Sequence, residues 1–166
     1  MNFYPLIFKF KDLIAGPGFL AGVQIEGRVL MVEEKEEGHS EWWLYGVSPG
    51  GIAQEGATPQ EAYLNFREFF RGVLEDLAVA AGNFADFQKS VNNFVLDENK
   101  AKATIWMDTR NAIRSGALKP DGAFSNLDKI TEDAPAKVVA CVQLDAQKNW
   151  SPSPKDNPEY IYATAA

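Results

Sequence analysis

The chain has 166 residues, 46% hydrophobic and 23% charged, which suits one globular domain able to bury a core without disulfides or metal. Its formal net charge of -7 argues against a nucleic-acid backbone as the main partner, because phosphate binding needs a basic surface, and favours a basic partner. A single cysteine, Cys141, and a single histidine, His39, exclude an internal disulfide and most zinc sites or Cys–His dyads.

Cysteine usage of this kind fits a reducing, cytoplasmic setting. The opening MNFYPLIFKFKDL carries its lysines after the apolar run and has no small-residue cleavage site, so a secretory signal is not expected. No apolar run approaches the roughly 20 residues needed to span a bilayer.

From Tyr4 to Lys11 apolar Leu6, Phe8 and Phe10 alternate with Lys9 and Lys11, the period of a half-buried strand. Gly16-Pro17-Gly18 breaks it, and Phe19, Ala21, Val23 and Ile25 begin a second alternation against Gln24 and Glu26. Gly27, within that strand pattern, predicts a bulge or bend before the run Arg28 to Val32 continues.

The stretch Glu33 to Glu41 reads as a hairpin tip. Its carboxylates either form a solvated turn or an acidic lip that receives a basic partner. They lack the Asp/Asn-and-Gly spacing of a calcium loop, so no metal is expected.

Trp42 to Val47 returns as a strand with apolar residues of both parities. Trp42, Leu44 and Gly46 share one face, while Trp43, Tyr45 and Val47 share the other. One face is expected to cover the core and the other to meet a helix or another chain. The aromatics are therefore read either as core on both sides or as a docking face. Glu33, Glu34, Glu36, Glu37, Trp42, Trp43 and Tyr45 are the candidate partner-binding residues.

Ser48-Pro49-Gly50-Gly51 is turn chemistry. It is not a phosphate loop, because no lysine follows and the glycines do not open a helix. Ile52 to Glu55 can make one short strand.

Thr58-Pro59-Gln60-Glu61 is an N-cap, a proline at the first helical position and a capping-box acid. Ala62, Phe66, Phe69, Phe70, Val73, Leu74 and Leu77 then recur at helical spacing, with Arg67, Glu68, Arg71 and Glu75 largely opposite. Gly82 is the expected C-cap, and Gly72 is expected to mark close packing.

Asn83 caps a second helix carrying Phe84, Phe87, Val91, Phe94 and Val95. After the polar run Asp97 to Lys102, a third carries Ala101, Ile105, Ala112 and Ile113 and closes at Gly116. Its Lys100, Lys102, Arg110 and Arg114 read as a solvated face. Lys119-Pro120-Asp121-Gly122 is a turn, and Ser125 to Ile130 can form a short helix. Lys137 to Leu144 is a β-branched strand in which Cys141 is expected to be buried and inert. Glu159 to Ala163 can pair as an edge strand or arm.

Together these elements predict an α+β fold: an antiparallel sheet of three to four strands packed by a long helix, with additional C-terminal helices and a late strand. A single domain is expected over residues 1–150, with 151–166 as a loose tail or exchanged arm. Catalytic chemistry is not legible. His39 sits in a hairpin tip, no G-x-S-x-G elbow occurs, and no carboxylate pair stands out. No cofactor is expected.

The segment from Tyr45 to Leu77 resembles the HicB-like antitoxin family. The resemblance rests on Pro49-Gly50-Gly51, on Gly56-Ala57-Thr58-Pro59-Gln60-Glu61-Ala62, and on Asn65 and Glu68 of the helix. Tyr4-Pro5 in the first strand is also similar to the family's start, so residues 1–82 are covered. It implies a three-stranded antiparallel sheet with a helix on one face, a partial ribonuclease H-like fold. It also implies a protein that self-associates and neutralises a small basic ribonuclease toxin.

Family members often end in a DNA-binding domain. Residues 97–166 show neither a recognition-helix signature nor a net-basic patch, so DNA-binding autorepression is not expected. Two alternatives remain. One is a stand-alone homo-oligomeric structural or regulatory protein without a toxin. The other is a nuclease built on the ribonuclease H-like core, which would need clustered acidic residues holding Mg²⁺.

Overall fold

The computed structural model describes residues 1–120, 122, 124–125 and 136–144. Eight elements follow in chain order: β1 (Asn2–Gly16), β2 (Phe19–Glu36), β3 (His39–Ser48), β4 (Ala53–Gly56), α1 (Pro59–Ala81), α2 (Phe84–Leu96), α3 (Lys100–Arg114) and β5 (Lys137–Leu144). The fold is α+β. The expected helix at Ser125 to Ile130 and the tail or arm at 151–166 fall largely or wholly outside the described residues.

β2 is the axis of a five-stranded antiparallel sheet. β1 pairs with it along one side for its full length, from Asn2↔Glu33 to Gly16↔Phe19. β1 runs well past the expected Tyr4–Lys11 because the two-residue turn Pro17-Gly18, with Gly18 at φ 73, closes the hairpin without interrupting the ladder.

The other side of β2 is divided. Arg28 to Glu36 pair with β3, and Leu20 to Glu26 pair with β5. Gly27 stands at the division. The strand passes through it, and the irregularity predicted there falls one residue later, between Arg28 and Val29 in the β3 ladder. β4 adds a short edge to β3, so the late strand and the hairpins belong to one sheet.

Alternate residues of each strand serve opposite faces, and helices cover both. On one face α1 and α2 bury Phe66, Phe70 and Phe87 against Leu6, Phe8, Phe10, Val23, Ile25, Val29 and Leu44. The Phe70 ring packs with centroids 5.0 Å from both Phe8 and Phe10. Fully burying each such side chain is worth about 1.5–3 kcal/mol. On the other face α3 lays Ala103 and Trp106 over Leu30, Val32 and Val47. The sheet is thus wider than the three strands that the HicB-like resemblance implies, and its second face is also partly covered.

The predicted capping of α1 is present in full. Thr58 Oγ1 accepts from the Glu61 N–H at 3.1 Å, and Glu61 Oε2 accepts from the Ala57 N–H at 2.9 Å. Gly82 ends the helix in the left-handed region at φ 75. Asn83 and Asn99 likewise cap α2 and α3 by accepting the N–H of Asp86 and Lys102.

Three expectations for the helices are corrected. Phe69 is 49% exposed, while Arg67, expected on the polar side, is 5% exposed beside buried Tyr63 and Phe66. The buried stripe of α1 is centred on Tyr63, Phe66, Phe70 and Leu74, one position round from the predicted one. Gly72 marks no close packing, since a Cβ there would meet nothing within 4 Å. In α3, Arg110 is buried instead of solvated, and Trp106 is the largest fully buried side chain in the molecule.

The Ser48-Pro49-Gly50-Gly51 turn anchors the link between α2 and α3. The Gly50 N–H donates to the Asp97 carbonyl and the Asn99 N–H to the Val47 carbonyl, both at 2.9 Å. A Cβ on Gly50 would lie 2.3 Å from the Asn99 nitrogen, so glycine permits this approach. Through it the cap of α3 is fixed to the end of β3.

Candidate partner-binding surface

The β2–β3 hairpin carries the candidate residues, and its tip is tighter than expected. Glu37 and Gly38, at φ 45 and 87, form the two-residue turn, the mirror-image geometry that matches strand twist. Glu33, Glu34 and Glu36 therefore lie within β2 and not in a loop. Cross-strand pairs run Glu33↔Trp42, Glu34↔Glu41, Lys35↔Ser40 and Glu36↔His39.

The pleat divides the seven candidates. Glu33 and Trp42 lie on the α1 side, and Glu34, Glu36, Trp43 and Tyr45 lie on the α3 side, with Glu37 in the turn. Glu33 is buried, and its carboxylate accepts from Asn2 Nδ2 at 2.9 Å and Ser40 Oγ at 3.1 Å, with Lys35 Nζ at 3.4 Å. Burial by itself would raise its pKa; the hydrogen bonds and the Lys35 charge outweigh burial and hold it below the ordinary carboxylate value. Trp42 is half-buried between Tyr4 and Phe124, with ring centroids 6.0 Å from each. These two side chains hold the hairpin to the rest of the protein.

The other side is more open. Glu34 and Glu41 face each other directly across the ladder, a like-charge pairing that the sheet tolerates at a cost. Trp43 and Tyr45 stack at 5.9 Å on the same face, and Lys102 of α3 places its ammonium 3.9 Å from the Tyr45 ring centroid. Burial, and then the Glu34 charge, push the Tyr45 hydroxyl's pKa up. The strand's second face thus meets a helix, one of the two outcomes expected, and both aromatics keep part of their surface exposed.

A cleft of about 630 Å³ opens where the hairpin stem meets the start of α1. His39, Ser40, Glu41, Glu55, Gly56, Ala57, Glu61 and Asn65 line it. Asn65 Nδ2 donates to the Glu55 carbonyl at 2.9 Å, and Glu61 is committed to its capping bond. Glu41 and Glu55 therefore supply the carboxylates left for an incoming group. Nothing in the spacing of Glu55, Glu61 and Asn65 announces this cleft, because it forms only when β4 pairs with β3.

Comparison with protein-family models, curated proteins and solved structures finds no match for this chain. Among the described residues no cluster of three or more His, Cys, Asp and Glu side chains is placed to hold a metal ion. Cys141 is buried, and burial pushes its thiol up to about 11, far from a reactive thiolate at neutral pH. No helix among the described residues is long and apolar enough to cross a membrane.

Proposed function

We propose that the chain is a non-enzymatic, HicB-like protein-binding module that neutralises a small basic ribonuclease toxin in the cytoplasm. The observation that carries this reading is the directly opposed Glu34–Glu41 pair, with Glu36 and Glu37 beyond it and the Glu41–Glu55 cleft beside it. Uncompensated like charges held side by side are relieved by a cation from outside, and Lys or Arg side chains of a basic protein supply one. The net charge of -7 steers the same kind of partner.

Co-expression with the product of an adjacent small reading frame tests the proposal. A stable complex, relief of growth arrest, and loss of both in the Glu34→Lys, Glu41→Lys double variant are the expected results. Absence of a complex with the native chain sinks the toxin reading.

A second reading, a stand-alone homo-oligomer, is favoured by Leu20 and Val142. These are 36% and 40% exposed on the half of the sheet that α3 does not reach. Light scattering that shows a defined oligomer, together with no toxin complex, would select it.

A further inference from the structure

On α1, Arg67 and Arg71 stand one helical turn apart and both reach toward Asp12 of β1. Arg67 and Asp12 are only 5% and 3% exposed. Each oxygen of Asp12 already accepts a hydrogen bond from another neighbour. Its Oδ1 accepts from the Leu13 N–H at 2.9 Å, and its Oδ2 accepts from Arg71 Nη1 at 2.5 Å. Arg71 also donates to Glu75 Oε1 at 2.9 Å and to the Leu13 carbonyl at 3.4 Å.

Arg67 is left with less. Its Nη2 stands 3.7 Å from the Asp12 oxygen that Arg71 already holds, too far for a hydrogen bond. Its guanidinium lies 5.1 Å from the centroid of the Phe10 ring. Among the described residues nothing accepts a hydrogen bond from its Nε or its Nη2.

A guanidinium cannot shed its proton to escape burial, as a lysine can. A buried charge with unfilled donors is destabilising unless an acceptor of opposite charge meets it. Two arginines here share one buried carboxylate, and Glu75, the other acid in contact, is half-exposed and screened by solvent. The two arginines and two acids balance in number, but Glu75 pairs with Arg71 at the rim, so buried Arg67 has no hydrogen-bonded counter-charge of its own. A planar fork seated on an aromatic face presents its donors in one plane, the geometry that two oxygens of a carboxylate or phosphate fill.

We propose that Arg67 and Arg71 form a receptor for an oxyanion, a carboxylate or a phosphate group. The oxyanion enters past Arg71, whose side chain is 31% exposed, and takes up the donors of Arg67 above Phe10. This site lies on the α1–β1 side of the molecule and is independent of the toxin reading.

The test uses the full chain with arginine side chains labelled in nitrogen-15, titrated with inorganic phosphate, with acetate, and with chloride at matched ionic strength. The Arg67 Nε–H resonance is expected to shift saturably with at least one oxyanion and not with chloride. The melting temperature should rise in step, as for any ligand that binds only the native state. A response to phosphate alone assigns a phosphoryl ligand. A response to acetate assigns a carboxylate, such as the side chain of a partner protein.

Arg67→Lys, which keeps the charge and loses the fork, should weaken binding about tenfold or more. Should that variant not fold, Arg71→Gln, at the more exposed position, serves instead. An Arg67 resonance unmoved by either oxyanion, or melting that tracks ionic strength alone, would overturn the proposal.

Discussion

A Cβ on Gly27 would lie 2.6 Å from the carbonyl oxygen of Ser48. This contact sits where β3 leaves the side of β2 and β5 takes its place. The obstacle is backbone, so it cannot swing aside as a flexible side chain can. Gly27→Ala should therefore force a shift of the β3 end and cost about 1–3 kcal/mol. A lower urea midpoint at unchanged slope is the expected observation. An unchanged midpoint would mean that the division of β2 does not need glycine.

Gly72 gives the opposite expectation. It lies inside α1 where an added methyl meets nothing within 4 Å. The substitution to alanine then acts through backbone entropy and helix propensity alone. Gly72→Ala should stabilise the protein by about 0.5–1 kcal/mol, read as a higher urea midpoint. Destabilisation would show that the position is more crowded than its surroundings suggest.

These two glycines illustrate what the sequence does and does not disclose. Thr58, Pro59, Glu61 and Gly82 announce the ends of α1 correctly because capping is settled within one turn of chain. The strands announce themselves by alternation, the late one at Lys137 to Leu144 included; that β5 joins the same sheet beside β2 does not show in the sequence. Long-range relations are the part that stays hidden. Arg67 is buried because Asp12 and Phe10 lie beneath it, and Phe69 is exposed because α1 turns its stripe toward Tyr63. Helical period locates such a stripe to within about one position and cannot choose between the two residues.

The candidate surface is divided in the same way. Alternation already separates Trp42 from Trp43, and the acidic hairpin is plain in the sequence. That Glu33 turns inward while Glu34 meets Glu41 depends on where the turn falls, and Glu37-Gly38 is a shorter turn than the charge run suggests. A shift of one residue would exchange the two faces.

The inward position of Glu33 makes a pH-dependent prediction. Its pKa in the folded protein lies below the ordinary value of 4.5. A carboxylate of that kind stabilises the native state above its unfolded pKa and loses the contribution as pH falls through the folded one. Glu33→Gln should therefore cost about 1–2 kcal/mol at pH 7. The difference from the native chain should shrink as pH falls from 4.5 through the lower folded-state pKa, beneath which the native side chain is neutral as well. Urea unfolding of both proteins at neutral and acid pH measures this. A difference that stays constant with pH would show that Glu33 acts through packing and not through its charge.

Trp106 tests how firmly α3 belongs to the fold. Its indole is fully buried and donates to the Leu6 carbonyl at 3.2 Å, while the Arg28 guanidinium stands 5.4 Å from its ring centroid. Arg28 also pairs with Glu98, just before the α3 cap, so the same contacts hold the start of the helix. The neighbouring Ile105 and Met107 are only partly buried, and Ala103 is small, so Trp106 is the large anchor of α3 in this cluster. Trp106→Phe removes the N–H bond and part of the volume, and should cost about 1–3 kcal/mol. Trp106→Ala should cost about 3–5 kcal/mol, much of it as local release of α3. Hydrogen exchange distinguishes release from general weakening. In Trp106→Ala the α3 amides should exchange faster while those of α1, packed on the opposite face, keep their protection. Equal acceleration in both helices would mean that α3 and the sheet unfold as one unit.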